Sequence, residues 1–162
     1  MEIESFWKIV NKAKANASDF EDRAVQLKKL LLELSADEIV EFDIEYQKRM
    51  VEAYRWDLWG AAYVINGGCS DDGFHYFCAF LISEGKQIYN KAIRDPESLV
   101  DIEIEEDAEF EEFNYVASEA YEEKTNNKLP PNEIHFPSDP VGEDWDEDDL
   151  DQMFPKLTKK YA

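Results

Sequence analysis

Apolar residues recur every third or fourth position through most of the chain, with acidic residues filling the gaps. Phe6, Ile9, Val10, Ala13 and Ala17 form one stripe, and Phe20, Ala24, Leu27, Leu31 and Leu34 form a second. This is the repeat of a helix that buries one face. Ser18 and Glu21 sit at capping-box spacing before the second stripe, and Ser35 and Glu38 do so before a third, Ile39, Phe42, Tyr46, Met50 and Ala53. The short joins predict antiparallel neighbours.

The stretch "YRWDLWGAAYVINGGCSDDGF" predicts the centre of the fold. Leu58, Ala61, Ala62 and Ile65 share one helical face, with Trp59 and Tyr63 beside it. Asp57 either caps this helix or the third helix runs through and bends at Gly60. Asn66-Gly67-Gly68 stops it, because glycine takes the left-handed conformation past a helix end at little cost. Ser70 is a good N-cap for the next helix, where Asp71 and Asp72 complement the dipole. That helix carries Phe74, Phe77, Cys78, Phe80, Leu81 and Ile82 and stops near Gly85. A shorter piece with Ile88, Tyr89 and Ile93 ends before Pro96. From Glu106 to Lys124 the pattern predicts one long helix with Phe110, Phe113, Ala117, Ala120 and Tyr121 inside. "LPPNEIHFPSDPVG" is an extended connector, since its prolines exclude helix. The resulting expectation is an all-α fold, a compact bundle of about six to seven helices. It divides into a helical domain over 1–125, a Pro-rich connector over 126–142 and an acidic segment over 143–162. In that last segment Trp145, Leu150, Met153, Phe154 and Leu157 are too apolar for a solvated run and predict docking on the bundle.

Charge sharpens the functional reading. The net charge is −21 over 162 residues. Residues 101–151 hold 20 acidic side chains against two basic ones, Lys124 and Lys128, whereas residues 1–100 hold 18 against 12. Such a field disfavours nucleic acid and anionic membrane as partners and favours a basic protein. No apolar run approaches the ~20 residues of a membrane span, and "MEIESFW" lacks the basic start of a secretory signal. Cys69 and Cys78, the two cysteines, fit neither a disulfide framework nor a zinc spacing, which predicts a reduced, cytosolic protein.

Candidate chemistry is sparse. Cys69 precedes a helix N-terminus, but Asp71 and Asp72 oppose a thiolate, and His75 lies more than a turn away. Asp57, Asp71 and Asp72 would form a cation site only if they converged, and capping accounts for all three. His75 follows Asp71 by four residues, a spacing that allows a local hydrogen bond as readily as a ligand pair. Trp56 and Trp59, after Arg55, make either a stacking shelf for a ligand or a packed aromatic core. No metal, cofactor or catalytic residue is assigned, and oligomeric state is left open.

The segment "AYRWDLWGAAYVINGGCSDDGFHYF", continuing into "LISEG", resembles a bacterial family known as domain of unknown function 4240. "FWKIV", "LSADEIVEFD", "GEDWDEDDL" and "FPKL" extend the resemblance to both ends. The family pattern carries Arg and Trp where this chain has Cys78 and Phe80, which weakens any transfer of a ligand role to the helix after Ser70. The resemblance implies a bacterial cytosolic protein with an ordered C-terminal end and brings no established activity. In profile the chain is also similar to immunity proteins of contact-dependent toxin systems, an analogy of class.

The expected function is therefore a non-catalytic acidic module that binds a basic partner, in the manner of an immunity protein neutralising a toxin. Its candidate surface is Glu109, Glu112, Glu119, Glu123, Asp144 and Asp146. The competing expectation is an enzyme or small-ligand binder using Arg55, Trp56, Asp57, Trp59, Asn66, Cys69, Ser70, Asp71 and Asp72. DNA mimicry would need carboxylates at phosphate-like spacing along one face.

Overall fold

Helix α1 (Ile3–Asn16) buries Phe6, Trp7, Val10 and Ala13. Trp7 widens the expected stripe toward helix α6 (Lys86–Arg94), where its ring lies 5.0 Å from that of Tyr89. The computed structural model describes residues 1–161, and all its regular elements are helical: nine α-helices and three 3-10 turns among the described residues. The all-α expectation holds. The count exceeds six to seven because one predicted helix is broken and the C-terminal segment folds into short helices.

Helix α2 (Asp22–Leu32) begins without the expected Ser18–Glu21 box. Instead Asp22 N donates to Asp19 Oδ1 at 2.8 Å, and Ser18 N donates to Asp22 Oδ2 at 2.9 Å. A carboxylate pair thus takes the orphan amides that the hydroxyl was expected to take. The second box forms as read: helix α3 (Ala36–Glu52) has Glu38 N donating to Ser35 Oγ at 3.2 Å and Ser35 N donating to Glu38 Oε1 at 3.1 Å. The short-join expectation holds for α1 and α2, which pack closely, and fails for α2 and α3, which make little contact with each other. Helix α7 (Val116–Thr125) packs against both, through the small buried residues Val116, Ala117 and Ala120.

Helix α3 does not continue through Gly60. It ends at Glu52, and extended backbone at Arg55 separates it from helix α4 (Trp56–Asn66). There Trp56 N donates to Val141 O at 2.9 Å and Val141 N to Tyr54 O at 3.0 Å, so the Pro-rich connector is pinned to the join. Gly67, at φ 67°, closes α4 in the left-handed conformation. Helix α5 (Asp71–Ser83) is the central element and buries Phe74 and every residue from Phe77 to Ser83. From Phe77 on the helix is buried all round, as an interior helix is, and each of its large apolar side chains contributes roughly 1.5–3 kcal/mol of burial.

The predicted helix over 106–124 is corrected. Residues 102–110 are irregular, with bends at Ile102, Glu105, Glu106 and Ala108, a 3-10 turn spans Glu111–Tyr115, and α7 starts only at Val116. The irregular run is held by α4 and α5. Ala108 N donates to Asn66 Oδ1 at 2.9 Å, Asn66 Nδ2 donates to Ala108 O at 3.3 Å, and Phe110 N donates to Tyr76 O at 3.0 Å. These bonds fix the run in its irregular path, while Ala108 and Phe110 are buried.

The C-terminal segment lies on α4. Helices α8 (Leu150–Met153) and α9 (Pro155–Tyr161) bury Leu150, Phe154 and Leu157, whereas Met153, grouped with them on composition, is exposed. Gly60 makes the close approach possible. A Cβ there would lie 3.0 Å from Leu150 Cδ2 and from Phe154 Cε2, and 3.1 Å from Trp145 Nε1. Glu97 Oε2 accepts from Lys156 N at 3.1 Å, and Lys160 Nζ donates to Val100 O at 2.8 Å.

Candidate functional site

The Trp-rich motif is spent on packing. Trp59 lies parallel to Trp56 at 5.3 Å and to Phe74 at 5.1 Å, each at 9° between planes. Trp145 meets Trp56 and Trp59 edge-on at 6.1 and 6.5 Å and Tyr63 at 5.6 Å. Polar edges are also taken: Trp145 Nε1 donates to Trp56 O at 2.6 Å, and Trp59 Nε1 donates to Cys69 O at 2.9 Å. The shelf expected for a ligand therefore already holds Phe74 and Trp145.

Its neighbours are similarly committed. Arg55 Nε lies 3.3 Å from Asp57 Oδ1, which also accepts from Leu58 N at 2.7 Å. Asn66 clamps Ala108. Ser70 Oγ accepts from Gly73 N at 3.1 Å, the cap predicted for α5. Burial pushes the Cys69 thiol up to about 12, and the carboxylates of Glu109 and Asp71 push the same way. At neutral pH it is a thiol and a poor nucleophile. Cys78 is buried, and its thiol is raised well above the ordinary value by desolvation.

Asp71 and Asp72 are separated from Asp57's pairing and remain exposed. They line a cleft of about 500 Å³ with Met50, Tyr54, Phe74, His75, Cys78 and Phe136. His75 makes no hydrogen bond to Asp71; its ring lies 6.1 Å from that of Phe136. Burial lowers the His75 pKa and Asp72 opposes that shift. Among the described residues no three His, Cys, Asp or Glu side chains assemble as metal ligands. Tyr54 and Phe136 were not singled out from sequence. Tyr54 adjoins the motif that was, but Phe136 sits among prolines without any local signal.

The second concavity, about 680 Å³, opens between the start of α2 and the run before α7. Asp19 and Glu21 stand on one bank; Glu103, Glu105, Glu106, Asp107, Glu109 and Glu112 stand on the other. Phe20, Phe80, Ile104 and Phe110 supply apolar lining, with the Phe20 and Phe110 rings 4.5 Å apart. Its two cations, Lys14 and Arg23, are both tied to buried Glu84, at 3.1 and 2.9 Å. Arg23 also lies over Phe20 at 4.9 Å. On the acidic banks Glu103 alone has an ion-pair partner among the described residues, Lys160 at 3.8 Å. Glu109 is pushed up by burial and by its neighbours Asp107 and Glu111.

Of the six acids predicted as a partner surface, this groove gathers Glu109 and Glu112. Glu119 and Glu123 lie on α7, where Glu123 pairs with Lys28 at 2.8 Å. Asp144 and Asp146 belong to the C-terminal segment, and their carboxylates accept from backbone N–H groups of Trp145 and Asp148. Asp19, Glu21 and the acids of 103–107 were missed because the sequence does not show which acids share a groove.

An all-α protein organised round the α4 turn and α5, with a carboxylate-lined groove, is the class these observations define. The DUF4240 family model, described as a protein of unknown function, matches residues 1–123, and the chain belongs to that family. The closing segment resembling the family by eye lies outside the matched residues. No curated protein and no solved structure matches the chain significantly. No helix among the described residues is long and apolar enough to cross a membrane.

Proposed function

We propose that this protein is a non-catalytic binding module whose acidic groove receives a cationic segment of a partner protein. The observation that carries the reading is the groove's composition. All but one of the carboxylates on the two banks of this apolar trough lack an ion-pair partner among the described residues, and the two cations present are both tied to Glu84. A lysine- or arginine-rich segment with an apolar anchor complements both features, and charge complementarity would speed its encounter. Neutralisation of a basic toxin, by analogy with immunity proteins, is the form of this activity to test first.

The test uses a defined basic peptide carrying one aromatic residue and compares two variants. Neutralising Glu105, Glu106, Asp107, Glu109 and Glu112 together should slow association by about tenfold or more at low salt and flatten the salt dependence. Neutralising Glu119, Glu123, Asp144 and Asp146, which lie off the groove, should change the rate much less. Equal effects of the two sets would mean that the total field, and no groove, attracts the peptide. Unchanged association in the first variant would end the proposal.

A further inference from the structure

The cleft at the start of α5 has a different chemistry from the groove and points to a second ligand. Its walls are aromatic. The Tyr54 ring lies 6.3 Å from Phe74 in a stacked arrangement and 5.5 Å from Phe136 edge-on, and His75 completes the wall 6.1 Å from Phe136. Asp71 and Asp72 stand at its mouth, no lysine or arginine lines it, and neither carboxylate has an ionic partner among the described residues. Asp139 adds a third negative charge: desolvation raises the Tyr54 phenol, and Asp71 and Asp139 push it the same way.

Aromatic faces attract cations through their quadrupoles, and carboxylates beside them add Coulombic attraction. An anion would meet only like charge here, and the two aspartates already complement the positive end of the helix dipole. A neutral apolar molecule would leave the carboxylates unused. We propose that this cleft binds an organic cation, an ammonium or guanidinium head on a short aliphatic stem, with the head between Phe136, Tyr54 and the Asp71–Asp72 pair and the stem toward Met50 and Phe74. The same chemistry is offered by a free alkylamine and by a lysine or arginine side chain. This inference does not depend on the groove's being a docking site.

The experiment titrates the full chain with n-butylammonium chloride and reads amide chemical shifts, with sodium chloride at matched ionic strength and neutral 1-pentanol as controls. Saturable shifts clustered at Tyr54, Asp72, Gly73, His75 and Phe136 are expected, absent with sodium and weaker with pentanol. Phe136→Ala and the pair Asp71→Asn with Asp72→Asn should each weaken binding roughly three- to tenfold, in keeping with the strength of a partly exposed cation–π contact. Phe136 is an exposed connector residue, so its truncation leaves the core intact. N-acetyl-lysine amide and a lysine-bearing peptide form the second arm. Tighter binding of the peptide assigns the head to a protein side chain, and equal binding assigns it to a free amine. Shifts that spread over the acidic surface without saturating, equal response to pentanol, or an unchanged Phe136→Ala titration would each overturn the proposal.

Discussion

Residues 101–112 and 143–151 carry eight and seven acidic side chains and no basic one, yet they meet the helical body in opposite ways. The later segment, with the short helices that follow it, docks side chain first: Leu150, Phe154 and Leu157, at helical spacing, are buried, and Gly60 leaves room for Leu150 and Phe154 on α4. The earlier one is tied backbone first, through Asn66 and Tyr76 O, with Ala108 and Phe110 turned inward and the acids left facing a groove. High charge thus does not decide whether a segment is ordered. What decides is where its few apolar residues fall and which partner surface accepts them. The segment with side-chain anchors closes a face of the molecule, and the backbone-held one presents its charge.

The largest test of this contrast is Leu157→Ala. Leu157 is fully buried, so its truncation should cost about 3 kcal/mol, within the range for a leucine removed from a core. Chemical denaturation reads it directly. A loss below about 1 kcal/mol would mean that the closing segment rests loosely on α4 and that the contrast drawn here is false.

Asn66→Ala comes next. It leaves the buried N–H and C=O of Ala108 without their partners, which should cost about 1–3 kcal/mol. Hydrogen exchange sharpens the comparison: the amides of Ala108 and Phe110 should exchange faster, while that of Phe154, bonded to Leu150 O at 2.9 Å, should not change. Acceleration at all three would show one cooperative unit where two separately anchored segments are described.

The helical body was legible because its causes are local. Ser35 with Glu38 and Ser70 with Gly73 act within one turn, and Gly67 needs only its own backbone conformation. The start of the helix read over 106–124 was wrong although Ala108 and Phe110 alternate with acidic residues, the period of extended chain. Phe110, Phe113 and Ala117 also fit a helix, and nothing local arbitrates between the two periods. The deciding contact comes from Asn66, 42 residues away. The candidate site was half legible for the same reason. Asp71 and Asp72 were identified, but Phe136 reaches their cleft from within the connector, more than 60 residues along the chain. Likewise Gly60, for which a bend was one of two readings, is a contact point whose reason lies at residues 145–154.

The smallest effect concerns protons and separates the buried acids from the solvated ones. Asp43 is buried, with Oδ1 accepting from Gln47 Nε2 at 3.3 Å, and desolvation raises its pKa; Glu109 is raised too, by burial and by Asp107 and Glu111. A carboxyl whose folded pKa is raised binds more protons in the native state than in the unfolded chain. Stability then falls as pH rises through the window between the unfolded and folded values. Asp22 and Glu38 have the opposite sign, because backbone N–H donors lower them, and their stabilisation disappears only as pH drops below the ordinary carboxylate range. Acidifying from neutral pH should therefore raise Tm first and lower it afterwards, with relief of repulsion among the many exposed acids adding to the rise. Asp43→Asn isolates the buried term: the variant should melt higher than the parent at pH 7 and gain less on acidification. A parent Tm that falls steadily from pH 7 downward would show that the carboxylates lowered by hydrogen bonds outweigh the desolvated ones.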